Sequence, residues 1–250
     1  MMITRAVVPT LFTVLNMFCG FLSIVQVSEG KFVEAGYFIL LAGVFDSLDG
    51  IMARLTKSTS RFGVEIDSLS DVVSFGAAPA FLVYKLHLFQ FGTVGLIISS
   101  LLVILGGIRL ARFNVQLVGF DKEYFRGLPI PSSAIAIVFY VLTFSVDGNK
   151  FEGFSGTILP YIVAALSLLM VSTIKYDTLP KLSKKEIAKH PIRFTSYSFA
   201  ALIVVFTKGE WAFYVFSVFI VFGILRHLVG VVKHEEKVES EIEEAPSYDL

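Results

Sequence analysis

The chain has 250 residues, of which 55% are hydrophobic and only 17% charged, with a mean hydropathy of +0.74. Soluble domains carry about 25% charged residues, so this composition points to a membrane protein. Its 21 basic and 21 acidic residues cancel, leaving no net charge to attract nucleic acid, and a single cysteine, Cys19, excludes a disulfide framework.

A helix needs roughly 20 mostly apolar residues to cross a bilayer. On that measure the chain predicts spans at about 8–28, 33–54, 70–86, 92–117, 131–147, 155–174, 194–207 and 210–230. Residues 1–28 lack the small-residue cleavage pattern of a signal peptide, so the first run is expected to remain a span. The seventh, FTSYSFAALIVVFT, is short and reads as half of a tight or re-entrant pair with the eighth. Residues 1–230 therefore form one transmembrane domain, with a core at about 5–175 and two further spans within 194–230. From 231 to 250 the chain turns acidic and poor in apolar residues, which predicts a disordered cytoplasmic tail.

Basic residues orient the bundle. With both termini in the cytoplasm, only Lys31, Lys85, Lys150 and Lys208 fall outside, and every other Lys and Arg falls inside. The positive-inside rule favours that arrangement and an even number of spans. The basic loop 175–193, with two prolines, then reads as a connection facing anionic lipid.

One stretch breaks the apolar pattern: DSLDGIMARLTKSTSRFGVEIDSLSD, residues 46 to 71. Asp46, Asp49, Gly50 and Ala53 recur at i, i+3, i+4 and i+7, so they share one helical face. Arg54 follows, Gly63 is expected in the connecting loop, and Asp67 and Asp71 at i and i+4 share a face of the next span. A solvated interfacial segment would account for any one of these acids, but not for two pairs at helical spacing. Four carboxylates at a membrane edge repel one another, and Mg²⁺ or Mn²⁺ relieves that repulsion with the oxygen ligands these ions prefer. Two such ions about 3.5–4 Å apart would clamp a phosphoryl group.

Together these residues read D-x2-D-G-x2-A-R-x8-G-x3-D-x3-D, which resembles the signature of the CDP-alcohol phosphotransferases at every fixed position. The resemblance implies an all-α, polytopic bundle with a six-helix catalytic core and about two extra C-terminal spans. It also implies that Asp46, Asp49, Asp67 and Asp71 bind two divalent ions, Mg²⁺ or Mn²⁺. Asp71 would double as the general base, and Gly50, Ala53, Arg54 and Gly63 would line the CDP moiety. Such enzymes displace CMP from a CDP-linked lipid or alcohol, and the resemblance suggests a homodimer.

Across about residues 5–175 the chain is further similar to the integral-membrane phosphatidylserine synthases. The segments that carry this are VVPTLFTVLNMFCGFLSI, RFGVEIDSLSDVVSFGAAPAFLVY, GGIRLARFNV, FRGLPIPSSA and LMVSTIKY. The substrates implied are CDP-diacylglycerol and L-serine, with the active site at the cytoplasmic side of the inner membrane. One position departs: Pro9 is followed by Thr10 where the family often has Asn, so a nucleotide contact there is not carried over.

Serine would need a cation for its carboxylate. RLARFN supplies Arg109 and Arg112, with Asn114, as the candidate acceptor or phosphate site, since Arg binds both anions through two parallel hydrogen bonds. Headgroup anchoring is the competing role for these arginines. Pro129 and Pro131 are expected to stop helix formation before the fifth span, and Gly106–Gly107 to permit close helix packing. Glycerol 3-phosphate or an inositol phosphate as acceptor, or an archaeal ether-lipid donor, would use the same chemistry. A cation transporter is the reading from another class; it would show repeats or broken helices in both halves, and none is visible by eye.

Overall fold

The computed structural model describes residues 3–56, 60–117, 125–176, 206–207 and 209–243. Eight α-helices dominate the described residues: α1 Ile3–Ser28, α2 Phe32–Thr56, α3 Arg61–Asp71, α4 Ala78–Leu86, α5 Gly92–Leu117, α6 Ile130–Phe144, α7 Phe154–Val171 and α8 Ala212–Glu243. The only strands among the described residues are the two-residue segments β1 Phe125–Arg126 and β2 Lys175–Tyr176, paired antiparallel. Continuous apolar sequence explains the helices, because a backbone in lipid must satisfy its hydrogen bonds within its own segment.

Among the described residues, four stretches are long and apolar enough to cross a membrane: Pro9–Ser28, Phe62–Leu86, Leu88–Val115 and Phe154–Val171. The helical bundle expected from the sequence is therefore present. The seventh expected span lies outside the described residues except for 206 and 207, as does the loop 175–193 beyond β2. The last helix continues to Glu243, well into the acidic segment read as a disordered tail. Glu and Lys are strong helix formers, and extending an existing helix avoids the cost of a new nucleus.

Phe75, Leu82, Leu102, Ile137 and Leu159 have no exposed surface and form the centre of the bundle. Outward-facing Leu11, Phe18, Phe21, Ile97 and Ile104 are each more than half exposed, as lipid-facing residues would be. Small residues bring the helices together. A side chain at Gly106 would strike Ile130, and one at Gly20 would strike Ser74.

The third span differs from its expected form. Helix begins at Arg61 rather than near residue 70, because Ser60 caps it: the Gly63 amide donates to Ser60 Oγ at 2.9 Å. Gly63 thus lies in the first turn of α3, not in a loop. Between α3 and α4 the backbone widens into a π-helical segment, Val72–Ala77, directly after Asp71. Such segments shift every later side chain around the axis and recur at functional sites. Pro129 N-caps α6, and Pro131 sits in its first turn, where a missing N–H costs nothing.

Candidate active site

The second half of α2 and the whole of α3 present the four aspartates to a shared space. One oxygen from each of Asp46, Asp49 and Asp67 lies within 4.8 Å of the others. Across the gap Asp46 comes into hydrogen-bonding reach of Asp71, and Asp49 into reach of Asp67. Asp49 and Asp71 are buried, at 8% and 7% exposure, while Asp46 and Asp67 are half-buried. Asp67 Oδ1 is buried with no hydrogen-bond partner among the described residues. Converging, under-satisfied carboxylates of this kind suit a divalent cation, whose charge removes their repulsion and whose coordination uses the orphaned oxygen.

Helix α1 supplies the neutral partners. Thr13 Oγ1 donates to Asp49 Oδ2 at 3.0 Å, and Asn16 Nδ2 donates to Asp71 Oδ1 at 3.4 Å. Two serines of the third span bind α1 in return. Ser70 Oγ donates to the Thr13 carbonyl at 3.0 Å, and Ser74 Oγ to the Asn16 carbonyl at 2.9 Å. The π-helical segment and the missing side chain of Gly20 let these backbones approach that closely.

Beside the carboxylates opens a cleft of about 130 Å³ whose walls include Asp49, Gly50, Ala53, Gly63 and Asp67. No atom of the described residues lies within 4 Å of where a Cβ on Gly50 would stand. From α1, Pro9, Thr10 and Thr13 close the cleft. A diphosphate-sized group can therefore approach the backbone of α2 within reach of the acids.

The model of the CDP-alcohol phosphatidyltransferases matches residues 6–172, spanning both the acid cluster and the cleft. The chain belongs to the CDP-alcohol phosphatidyltransferase family. Among its relatives, the CDP-diacylglycerol–serine O-phosphatidyltransferase of Helicobacter pylori is 37% identical over 229 residues, covering 90% of this chain and 92% of that one. The archaetidylserine synthase of Methanothermobacter thermautotrophicus is 42% identical over 171 residues, covering 67% and 68%. The CDP-diacylglycerol–serine O-phosphatidyltransferase of Bacillus subtilis is 31% identical over 174 residues, covering 70% and 92%.

The family's signature residues are distributed unevenly in space. Gly50, Ala53 and Gly63 line the cleft, whereas Arg54 is exposed in the last turn of α2. Of the three residues expected to meet the acceptor, Arg109 is buried at 8% exposure within electrostatic reach of Asp71, and its Nε has no partner among the described residues. Asn114 Nδ2 donates to Ser68 Oγ at 3.0 Å, one position from Asp67. Arg112 is exposed and donates to the Val171 carbonyl at 3.1 Å, capping the end of α7.

Sequence reasoning passed over Thr13 and Asn16. A signal was available: they are polar, three positions apart on one face of a largely apolar span, where such groups usually bind another helix.

Proposed function

We propose that this family member transfers a phosphatidyl group from CDP-diacylglycerol to the hydroxyl of L-serine, giving phosphatidylserine and CMP. The supporting observation is the glycine-lined cleft whose walls include Asp49 and Asp67, two of the three carboxylates that cluster with Asp46. The serine O-phosphatidyltransferase activity of its relatives supports serine as acceptor. Asp46, Asp49, Asp67 and Asp71 would hold two divalent ions, Mg²⁺ or Mn²⁺. When bound, such ions neutralise the diphosphate and stabilise the charge that develops as CMP leaves.

The protein's own groups do the rest. Gly50, Ala53 and Gly63 admit the CDP moiety, and Arg54 reaches it from the rim. Asp71 accepts the proton of the serine hydroxyl. The freed oxygen attacks the phosphorus that bears the diacylglycerol, and the bond from that phosphorus to the bridging oxygen breaks. CMP departs with the electron pair. Arg109, with Asn114 nearby, attracts the serine carboxylate. The enzyme works as a homodimer in the inner membrane, six spans forming its core and two more following. Both termini and the active site face the cytoplasm.

Purified protein supplied with Mg²⁺, CDP-diacylglycerol and one acceptor at a time tests the proposal. Serine should release CMP; glycerol 3-phosphate and inositol phosphate should not. Release with either phosphate and none with serine overturns the acceptor assignment. Likeness to an archaetidylserine synthase makes a CDP-linked ether lipid the second donor to try, and preference for it over the diacyl donor would replace the donor named above.

A further inference from the structure

We propose that Asn16 is a positioning residue that fixes the carboxylate of Asp71 for its work at the site. The inference rests on the reading of Asp71 as ion ligand and base.

Asn16 has no exposed surface, so no substrate touches it in this arrangement. A carboxylate can only accept a hydrogen bond, so the amide nitrogen must be the atom that faces Asp71 Oδ1, as found. That orientation leaves Asn16 Oδ1 buried with no donor among the described residues. A leucine has the same number and branching of side-chain heavy atoms and would leave no orphaned acceptor. Packing alone therefore disfavours the amide, and the bond to Asp71 is what the position gains from it.

The mount is itself held in place. Ser74 Oγ, within the π-helical segment, donates to the Asn16 carbonyl at 2.9 Å. That contact ties the α1 backbone to the same stretch of helix that carries Asp71. Gly20, one helical turn beyond Asn16, has no room for a side chain against Ser74 and keeps the two backbones close. With Oδ1 engaged by Asn16, the second oxygen of Asp71 is the one left for Asp46. The pattern is that of outer residues that orient ligating carboxylates, whose removal costs about 10–100-fold in ion affinity or activity.

Asn16→Leu tests this in the full-length protein in detergent, with two readouts. In the CMP-release assay kcat should fall about 10–100-fold, with the KM for CDP-diacylglycerol changed less than about threefold. In thermal melts, the Mn²⁺ concentration needed for half-maximal stabilisation should rise about tenfold. The same substitution placed on Asp71→Asn should leave that Mn²⁺ concentration where Asp71→Asn alone puts it. An unchanged kcat in Asn16→Leu overturns the inference, as does an equal Mn²⁺ effect in both backgrounds. Asn16→Ser keeps a shorter donor and should recover part of kcat, which a purely packing role would not predict. A wild-type protein that releases no CMP with any acceptor would instead sink the transferase reading. The Mn²⁺ arm then still decides the role of Asn16.

Discussion

Thr13 and Asp49 are joined across the α1–α2 interface by a 3.0 Å hydrogen bond in which the threonine hydroxyl donates. The same hydroxyl lies 3.2 Å from the Pro9 carbonyl, and its single proton serves one acceptor at a time. The charged acceptor wins that competition, because bonds to ionised groups are about twice as strong as neutral ones. Asp49 is thereby held in a rotamer that points at Asp46 and Asp67.

Thr13→Val removes the donor while keeping shape. Activity should fall about tenfold, as for other residues that orient ligating groups. Stability should fall by about 1 kcal/mol, the usual net worth of one hydrogen bond. CMP-release kinetics and thermal melts read the two effects separately. Wild-type kinetics in the valine variant would mean that Asp49 needs no help from α1.

Metal removal should affect the wild type and an Asp49 variant unequally. In the wild type, EDTA should bring CMP release to background, and Mg²⁺ or Mn²⁺ should restore it. An ion present at about a hundred times its Kd adds about 2.7 kcal/mol of stability, so EDTA should also lower the melting temperature. Asp49→Asn removes one of the clustered negative charges. Without ions this variant should melt above the wild type, since like charges no longer crowd a poorly solvated site. It should gain little on adding Mg²⁺. Wild type and variant melting together in EDTA would show that the carboxylates do not repel as placed.

The helices and the carboxylates were legible in the sequence because both depend on short-range periodicity. Apolar runs long enough to span a bilayer become α1, α5 and α7 almost as bounded. The i, i+3 spacing of Asp46 and Asp49 and the i, i+4 spacing of Asp67 and Asp71 likewise translate directly into shared faces. Contacts between distant segments were not legible. Nothing in VVPTLFTVLN says that Thr13 will meet Asp49 or that Asn16 will meet Asp71, separated by 36 and 55 positions. The π-helical segment also left no sequence mark, since VVSFGA suits an ordinary helix and widens only where Ser74 and Gly20 close on each other. Arg112 shows the limit of residue type as evidence. An arginine expected at a substrate instead caps a helix through the Val171 carbonyl, a role set by where α7 happens to end.

At the turn between α4 and α5, away from the carboxylates in the chain and outside the spanning segments, His87 offers a dependence on pH. It packs edge-on against Phe91 and Phe151, with ring centroids 5.7 and 5.6 Å away. The Gln90 amide nitrogen lies 2.7 Å from Nδ1 and 3.0 Å from Nε2, where it can donate to whichever ring nitrogen carries no proton. Desolvation lowers the His87 pKa from its ordinary value, against a smaller opposing contribution from the Gly156 backbone. A histidine with a lowered folded-state pKa contributes stability that is present above the unfolded value of about 6.5 and lost as pH falls through the folded value. The wild type should therefore lose melting temperature between pH 7.5 and pH 5 faster than His87→Gln, which cannot take up the proton. Other titrating groups are common to both proteins, so the difference between the two profiles isolates His87. Parallel profiles would mean that the imidazole titrates alike in the folded and unfolded chains, and that its packing against Phe151 is indifferent to charge.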